Sequence, residues 1–355
     1  MDEEPLQIGF VGLGNMARHH VENLQQLDVE IAAGTDVLEA ARERWAEDFD
    51  AETFEDVDAM CEVVDAAFVT TPNRFHEDAA TTILEHDVAL YVEKPLAHTL
   101  ESAERIAEAA AEAAEVPAMV GLHNRFAGGA EVLETYREEG RFGDLSHVEI
   151  EYVRRRGIPA TGTWFTDDAT AGGGSLIDIG VHALDLGLHL AGHPEIVEVS
   201  GATRSELGDR DDVADMDFYG TPDPDGVFDV DDSASAFLRA ADGTTFSFEC
   251  AWAANREPEK SITLRGDDGG ATLRLDGGTT EIYEDGVGGV DHLQTTAIET
   301  EHRDAHLACL ETFVDAARSG EAPERNTIEQ GLAIQRVLEA IYRSSDADRA
   351  VRIDE

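Results

Sequence analysis

Asp178 and His182 stand four residues apart in the stretch Gly172-Gly173-Gly174-Ser175-Leu176-Ile177-Asp178-Ile179-Gly180-Val181-His182, which continues to residue 190 as an expected helix. At that spacing a carboxylate and an imidazole share one helix face. Most neighbours on this helix are apolar, so it is expected to be largely buried, and two polar side chains on it need a reason. One reason is structural: Asp178 fixes a core histidine. The other is chemical: a general base and the acid that orients it. Helical spacing alone does not choose between them.

A second candidate is Lys94. The chain has two lysines, Lys94 and Lys260, against 24 arginines. A generic cation could be arginine, so a lysine kept in Glu93-Lys94-Pro95 points to a compact ammonium on a flexible stem, which a planar guanidinium does not imitate. A third is Gly12-Leu13-Gly14-Asn15-Met16-Ala17, which follows the apolar run 7–11 and opens an expected helix reaching about residue 27. This G-x-G-x-x-A pattern fits a dinucleotide turn. Gly12 permits the turn, Gly14 admits a pyrophosphate, Ala17 allows close helix–strand packing, and amides at the helix N-terminus take up phosphate. Asp36 ends the next strand, 19 positions beyond Ala17. An acid there accepts from the adenosine ribose hydroxyls and repels a 2′-phosphate, which favours NAD over NADP. His19 and His20, just past the loop, are assigned no role.

These groups need elements to hold them. Beyond Asp36, helix is expected at 37–48, 75–85 and 100–114, alternating with strands at 66–70, 88–92 and 117–121. Such alternation specifies a parallel, doubly wound sheet, with ligands outside the carboxyl ends of the strands. The polar clusters at those ends are Thr71-Pro72-Asn73-Arg74-Phe75-His76, Glu93-Lys94-Pro95 and His123-Asn124-Arg125-Phe126. After about residue 143 the pattern turns to strands, at 145–155, 196–203, 234–239, 245–251, 261–265, 271–275 and 279–283, with hairpin turns at Asp242-Gly243 and Gly277-Gly278. Helices at 303–318 and 328–344 close the chain and are expected to pack back on the first domain. The expected fold is therefore α/β, with a dinucleotide-binding domain over 1–125 and a substrate-binding and oligomerisation domain over 126–355. A broad sheet with one bare face would expose apolar surface, with Trp252 and the Phe246/Phe248 alternation on one such strand, and so predicts a homodimer or homotetramer.

Composition bounds the partners. The 355 residues carry 76 acids against 26 Lys and Arg, a formal net charge of −50. Such a field repels nucleic acid and anionic membranes. With 42 % hydrophobic residues and periodicity nearly throughout, the acids mark a solvated surface, not disorder. Near-complete loss of lysine resembles cytoplasmic proteins of salt-accumulating halophiles. Self-repulsion then predicts unfolding or lost activity in dilute buffer. Equal melting temperatures in 0.1 M and multimolar KCl would refute this. Three scattered cysteines, Cys61, Cys250 and Cys309, suggest neither a disulfide framework nor a zinc site. His182 and His189 lack a compact ligand set, and the acidic stretch 205–232 lacks EF-hand spacing, so no metal is expected and the stretch reads as a surface loop. The acidic N-terminus lacks a signal peptide, and no apolar run approaches membrane-spanning length, which predicts a cytoplasmic location.

Taken together and in order, Gly12-x-Gly14-x-x-Ala17, Asp36, Thr71-Pro72-Asn73-x-x-His76, Glu93-Lys94-Pro95, Arg125-Phe126 and Gly172-Gly173-Gly174-x-x-x-Asp178-x-Gly180-x-His182 resemble the Gfo/Idh/MocA oxidoreductases. The resemblance spans nearly the whole chain. It implies an N-terminal Rossmann domain, then an α/β domain with a large, mostly antiparallel open sheet. It also implies NAD- or NADP-dependent oxidation of a sugar or cyclitol hydroxyl, or the reverse reduction. By motif position it implies a catalytic trio of Lys94, Asp178 and His182. Thr71, Pro72, Asn73, His76 and Glu93 would line the cofactor alongside Gly12, Gly14, Asn15, Met16, Ala17, Asp36 and Lys94. Asn124, Arg125 and Trp164 would join the trio on the substrate side. The expected activity is dehydrogenation of a secondary hydroxyl of a sugar, sugar acid or cyclitol, with His182 as base. Two alternatives stand beside it: a lyase or glycosidase of the same family using transient redox chemistry, and a non-catalytic NAD-binding regulator.

Overall fold

The computed structural model describes residues 5–208, 210, 212–214, 220–223, 225–277 and 279–353. The N-terminal residues 1–4, positions 209, 211, 215–219 and 224 of the expected acidic loop, and Gly278 of the second expected hairpin turn lie outside the described residues. The chain forms two compact units, Met1–His123 with His306–Gln335 and Asn124–Ala305 with Arg336–Glu355.

The first unit holds strands β1 (Leu6–Val11), β2 (Val29–Thr35), β3 (Glu52–Phe54), β4 (Ala66–Val69), β5 (Ala89–Val92) and β6 (Ala118–Val120). Helices α1 (Asn15–Leu24), α2 (Glu39–Phe49), α3 (Val57–Cys61), α4 (His76–Glu85) and α5 (Leu100–Glu112) connect them. All five strand pairings are parallel, in the order β3-β2-β1-β4-β5-β6. The order reverses between β1 and β4, the switch point at which doubly wound sheets bind dinucleotides. β4 and β5 are wholly buried, as strands covered on both faces must be, which explains their unbroken apolar runs. The short β3 and α3 were not expected from the sequence; neither is long enough to show a period.

The second unit contains α6 (Gly128–Glu138), β7 (Leu145–Val153), α7 (Asp168–Ala171), α8 (Val181–Leu190), β8 (Ile196–Arg204), β9 (Ser233–Ala240), β10 (Thr245–Ala251), β11 (Glu259–Gly266), β12 (Gly270–Arg274), β13 (Thr280–Gly286), β14 (His292–Ile298) and β15 (Val351–Arg352). The strands form one sheet, ordered β14-β13-β12-β11-β7-β10-β9-β8-β15. β7 and β10 pair in parallel, and the other pairings described are antiparallel. Period-two alternation sorts its faces. Val148, Ile150, Phe246, Phe248, Ile262 and Leu264 are buried. Gly187 of α8 lets this face approach closely, since a Cβ there would fall 2.3 Å from Ile150 Cδ1. Phe246, Phe248 and Trp252 are 0–3 % exposed. The opposite face instead carries Glu149, Glu151, Ser247, Glu249 and Arg265, with Arg256 paired to Glu151 and Glu249 at 3.0 Å. These aromatics, expected on a bare face, instead pack inside the chain against α8, so they supply no exposed apolar surface for self-association.

Two helices follow the sheet, α9 (Ala305–Ser319) and α10 (Ile328–Ala347). Phe313 of α9 belongs to the first unit, where its ring lies 5.2 Å from Phe68 and 5.3 Å from Tyr91. Burying an aromatic ring of this size contributes about 1.5–3 kcal/mol. No described helix is long and apolar enough to cross a membrane.

Candidate active site

In the first unit the site begins where β1 ends. Gly12 has φ +88°, and a Cβ on it would fall 2.8 Å from Thr71 Cγ2, so only glycine makes this turn without strain. Gly14 differs: nothing lies within 4 Å of the position its Cβ would take. It is also the N-cap of α1 and offers no capping side chain. The first amides of α1 thus keep the orientation and partial positive charge that suit a phosphate. Asp36, at the end of β2, accepts from Leu13 N and Leu38 N, each at 2.9 Å, so the acid expected at a ribose also shapes the glycine loop. Thr71 Oγ1 is buried with no hydrogen-bond partner among the described residues. An open Gly14, uncapped amides and an orphaned hydroxyl fit a bound dinucleotide.

His76, expected at the cofactor wall, braces the backbone at that end of the sheet. It is fully buried, with Nε2 3.0 Å from Thr71 O and Nδ1 3.1 Å from Pro95 O. Burial lowers its pKa, which favours the neutral ring. Its role is to brace the chain ends that carry Thr71 and Lys94. Asn73 is buried in a short 3₁₀ turn, Asn73–Phe75, beside Pro72.

Glu93 is buried, while Lys94 is partly exposed. Oε1 of Glu93 lies 2.7 Å from His20 Nε2, and Oε2 accepts from Lys94 N at 3.1 Å. Burial alone would raise the Glu93 pKa. The hydrogen bond and charge of His20, with Lys94 and His123 adding to them, outweigh it and hold the carboxyl at about 2. His20, given no role from the sequence, therefore anchors the residue that precedes Lys94. A signal for it did exist: Ala17, His20, Val21 and Leu24 form one buried helical stripe, so His20 had to point inward.

In the second unit the glycine triplet is a fitted turn. Gly172 and Gly173 have φ +79° and +142°. A Cβ on Gly173 would lie 2.0 Å from Tyr342 Oη, and one on Gly174 would lie 1.8 Å from Asp231 O. Asp231 closes the turn. Its Oδ1 accepts from Gly174 N at 2.9 Å and from Tyr342 Oη at 2.7 Å, and its Oδ2 from Ser175 Oγ at 2.7 Å and Leu176 N at 2.9 Å. The chain then makes one π-helical turn, Leu176–Gly180, before α8. Single π turns are costly and are found frequently at functional sites. Between Ser175 and Leu190 every residue is buried except Asp178 and His182. Trp252 Nε1 donates to Asp178 Oδ2 at 2.9 Å, fixing that carboxylate from below.

Of the expected substrate-side residues, Arg125 is fully buried and its guanidinium grips Asp185, with Nε 3.1 Å from both carboxylate oxygens. That closed, bidentate pair braces α8 against the 3₁₀ turn His123–Phe126. Asn124 is half-buried in the same turn. Trp164 starts the 3₁₀ turn Trp164–Thr166 and stacks on Phe165 at 3.9 Å. Among the described residues no group of His, Cys, Asp and Glu is arranged to hold a metal ion.

Residues 6–122 match the family described as an oxidoreductase family with an NAD-binding Rossmann fold, and residues 132–272 match the GFO/IDH/MocA C-terminal domain. The chain is 29 % identical over 360 residues to D-glucoside 3-dehydrogenase of Escherichia coli K12, covering 99 % of each. It is 25 % identical over 358 residues to myo-inositol 2-dehydrogenase of Thermotoga maritima, again covering 99 % of each. Among solved structures, levoglucosan dehydrogenase in complex with NADH shares the fold, with TM-score 0.85 at 19 % identity over 98 % of this chain and 99 % of that one. A dinucleotide turn on a 3-2-1-4-5-6 parallel sheet, followed by the large mostly antiparallel sheet, is accounted for by one conclusion: the chain belongs to the Gfo/Idh/MocA family of oxidoreductases.

Proposed function

We propose that the protein oxidises a secondary hydroxyl of a sugar, sugar acid or cyclitol with NAD. The single observation that carries the reading is the exposure pattern of the glycine-led helix: of sixteen residues from Ser175 to Leu190, only Asp178 and His182 are accessible. A satisfied core pair would be buried with its neighbours. The names of the two relatives above, a 3-dehydrogenase and a 2-dehydrogenase of ring hydroxyls, support the substrate class.

In this reading His182 takes the hydroxyl proton, which an imidazole does near neutral pH. Asp178, held by the Trp252 indole, orients the imidazole and stabilises its cation. Lys94 holds the substrate oxygen, its backbone set by Glu93. A bound nicotinamide supplies the hydride acceptor. The Asp36 carboxylate supports NAD over NADP, because a 2′-phosphate beside it would bring two like charges together.

The test is a screen of inositols, pentoses, hexoses and their acids with NAD and with NADP in molar KCl, followed by NADH or NADPH absorbance. His182→Ala is expected to lower kcat by about 10²–10⁴-fold, with Lys94→Ala comparably impaired and NAD affinity retained in both. Unimpaired turnover in either variant would sink the assigned roles.

A further inference from the structure

The lysine count that singled out Lys94 applies equally to Lys260, which the reading above leaves unused. Lys260 lies on β11 opposite Tyr152 of β7. Its Nζ is 4.4 Å from the centroid of the Tyr152 ring. Arg154 approaches the same ring, with Cζ 5.3 Å from the centroid and Nη2 donating to Tyr152 Oη at 3.2 Å. Arg154 also opens Arg154-Arg155-Arg156, the one run of three arginines in the chain. In a protein with 76 acids, neither Lys260 nor Arg154 has a carboxylate within 4 Å among the described residues. Both cations are half-buried and neither is neutralised by a carboxylate among the described residues, so their charge is open to an anion from outside.

Their position says where it would arrive. Val148 and Ile150 are buried on the helix-covered face of β7, and the alternation puts Tyr152 on that same face. Lys260 shares it, with Ile262 and Leu264 of β11 buried alongside. Across the sheet Tyr152 pairs with Cys250 of β10, whose Sγ lies 3.9 Å from Ser175 Oγ at the head of the π turn. Two residues beyond Cys250, Trp252 donates to Asp178. The cluster therefore sits one strand over, about 4.8 Å, from the strand that supports the catalytic helix. Tyr152 responds to its neighbours: burial would raise the phenol, but Arg154 and Lys260 together take it below its ordinary value.

We propose that Tyr152, Arg154 and Lys260 form a subsite for an anionic group on the sugar, a carboxylate or a phosphate. The proposal deepens the dehydrogenase reading and rests on it for the word substrate. A phenol hydroxyl, a guanidinium fork and an ammonium are the donors that suit such an oxyanion.

The probes are D-glucose, D-glucuronate and D-glucose 6-phosphate, measured with the NAD-loaded enzyme at one fixed KCl concentration. Calorimetric binding is read beside steady-state turnover. One of the two acidic sugars is expected to bind at least tenfold more tightly than glucose, and which one does so separates carboxylate from phosphate recognition. Lys260→Met and Arg154→Met are each expected to lower the acidic-to-neutral ratio of affinities about tenfold or more, and Lys260→Arg to restore part of it. Lys260→Gln gives a second removal of charge if the methionine variant folds poorly. Equal binding of acidic and neutral sugars, or a variant ratio equal to wild type, would overturn the subsite. If the sugars bind in the expected order while no hydride is transferred, the subsite stands and the dehydrogenase reading fails.

Discussion

Two glycine-led turns start helices in this protein, and they finish in opposite ways. At Gly12–Ala17 the helix end is left open: Gly14 has no atom within 4 Å of a would-be Cβ and contributes no cap. At Gly172–Gly174 the end is closed: Asp231 takes two backbone amides and the Ser175 hydroxyl, and Tyr342 fills the remaining side. An open helix end offers its amides to an anion from outside. A helix end already neutralised by an internal carboxylate offers nothing from its backbone, and what it presents are its side chains, Asp178 and His182. Glycine thus serves approach by a ligand in one place and approach by the protein itself in the other.

The largest expected effect breaks the closed turn. Gly174→Ala places a methyl 1.8 Å from the Asp231 carbonyl oxygen, a backbone atom that cannot rotate away. Destabilisation of about 3 kcal/mol or more is expected, read from denaturant unfolding in molar KCl. Asp231→Ala should approach it, since it strands the Gly174 and Leu176 amides and two hydroxyls in a buried site. Wild-type stability in Gly174→Ala would remove the contrast.

Gly14→Ala is the counterpart and should do the reverse. Its φ of −82° suits alanine, and the methyl meets no protein atom. Stability is expected to stay within about 0.5 kcal/mol of wild type, while the methyl stands where a pyrophosphate must approach. NAD binding, followed by fluorescence titration, should weaken about tenfold or more, a loss of about 1.4 kcal/mol. Unchanged affinity would mean that the open turn is not the phosphate site.

The same contrast explains what the sequence could disclose. The open turn is local: Gly12, Gly14, Ala17 and Asp36 lie within 25 residues, and their spacing alone specifies strand, turn, helix and acid. The closed turn is half local. The glycines and the Asp178/His182 spacing are visible, but the residues that fix the turn and the Asp178 carboxylate come from 231, 252 and 342. Asp231 is one acid among 76, inside a stretch whose composition reads as solvated loop, and only its burial at 8 % shows otherwise. Trp252 was visible as an aromatic on a sheet, but which face it joined depended on where α8 packs. His20 was legible in principle from its helical stripe, and its partner Glu93, 73 residues away, was not. Long-range polar pairing leaves no period in a sequence, whereas burial does.

The smallest effect sharpens the comparison through pH. Each region contains an internal carboxylate brace, Asp231 in one and Glu93 in the other, and they differ in partners. Asp231 is held by amides and hydroxyls, Glu93 by an imidazole. Glu93 titrates at about 2 in the folded protein, below the ordinary carboxylate value near 4.5. A depressed folded-state pKa means that the unfolded chain binds the proton more tightly, so this contribution is fully present above about pH 4.5 and lost as pH falls toward 2. Glu93→Gln removes it and slackens the backbone of Lys94. In molar KCl the variant should be less stable than wild type by about 1–3 kcal/mol at pH 7, with the gap narrowing below about pH 4.5 as the unfolded wild-type chain takes up the proton. A gap that widened on acidification would mean that burial outweighs the His20 contact and raises the Glu93 pKa instead.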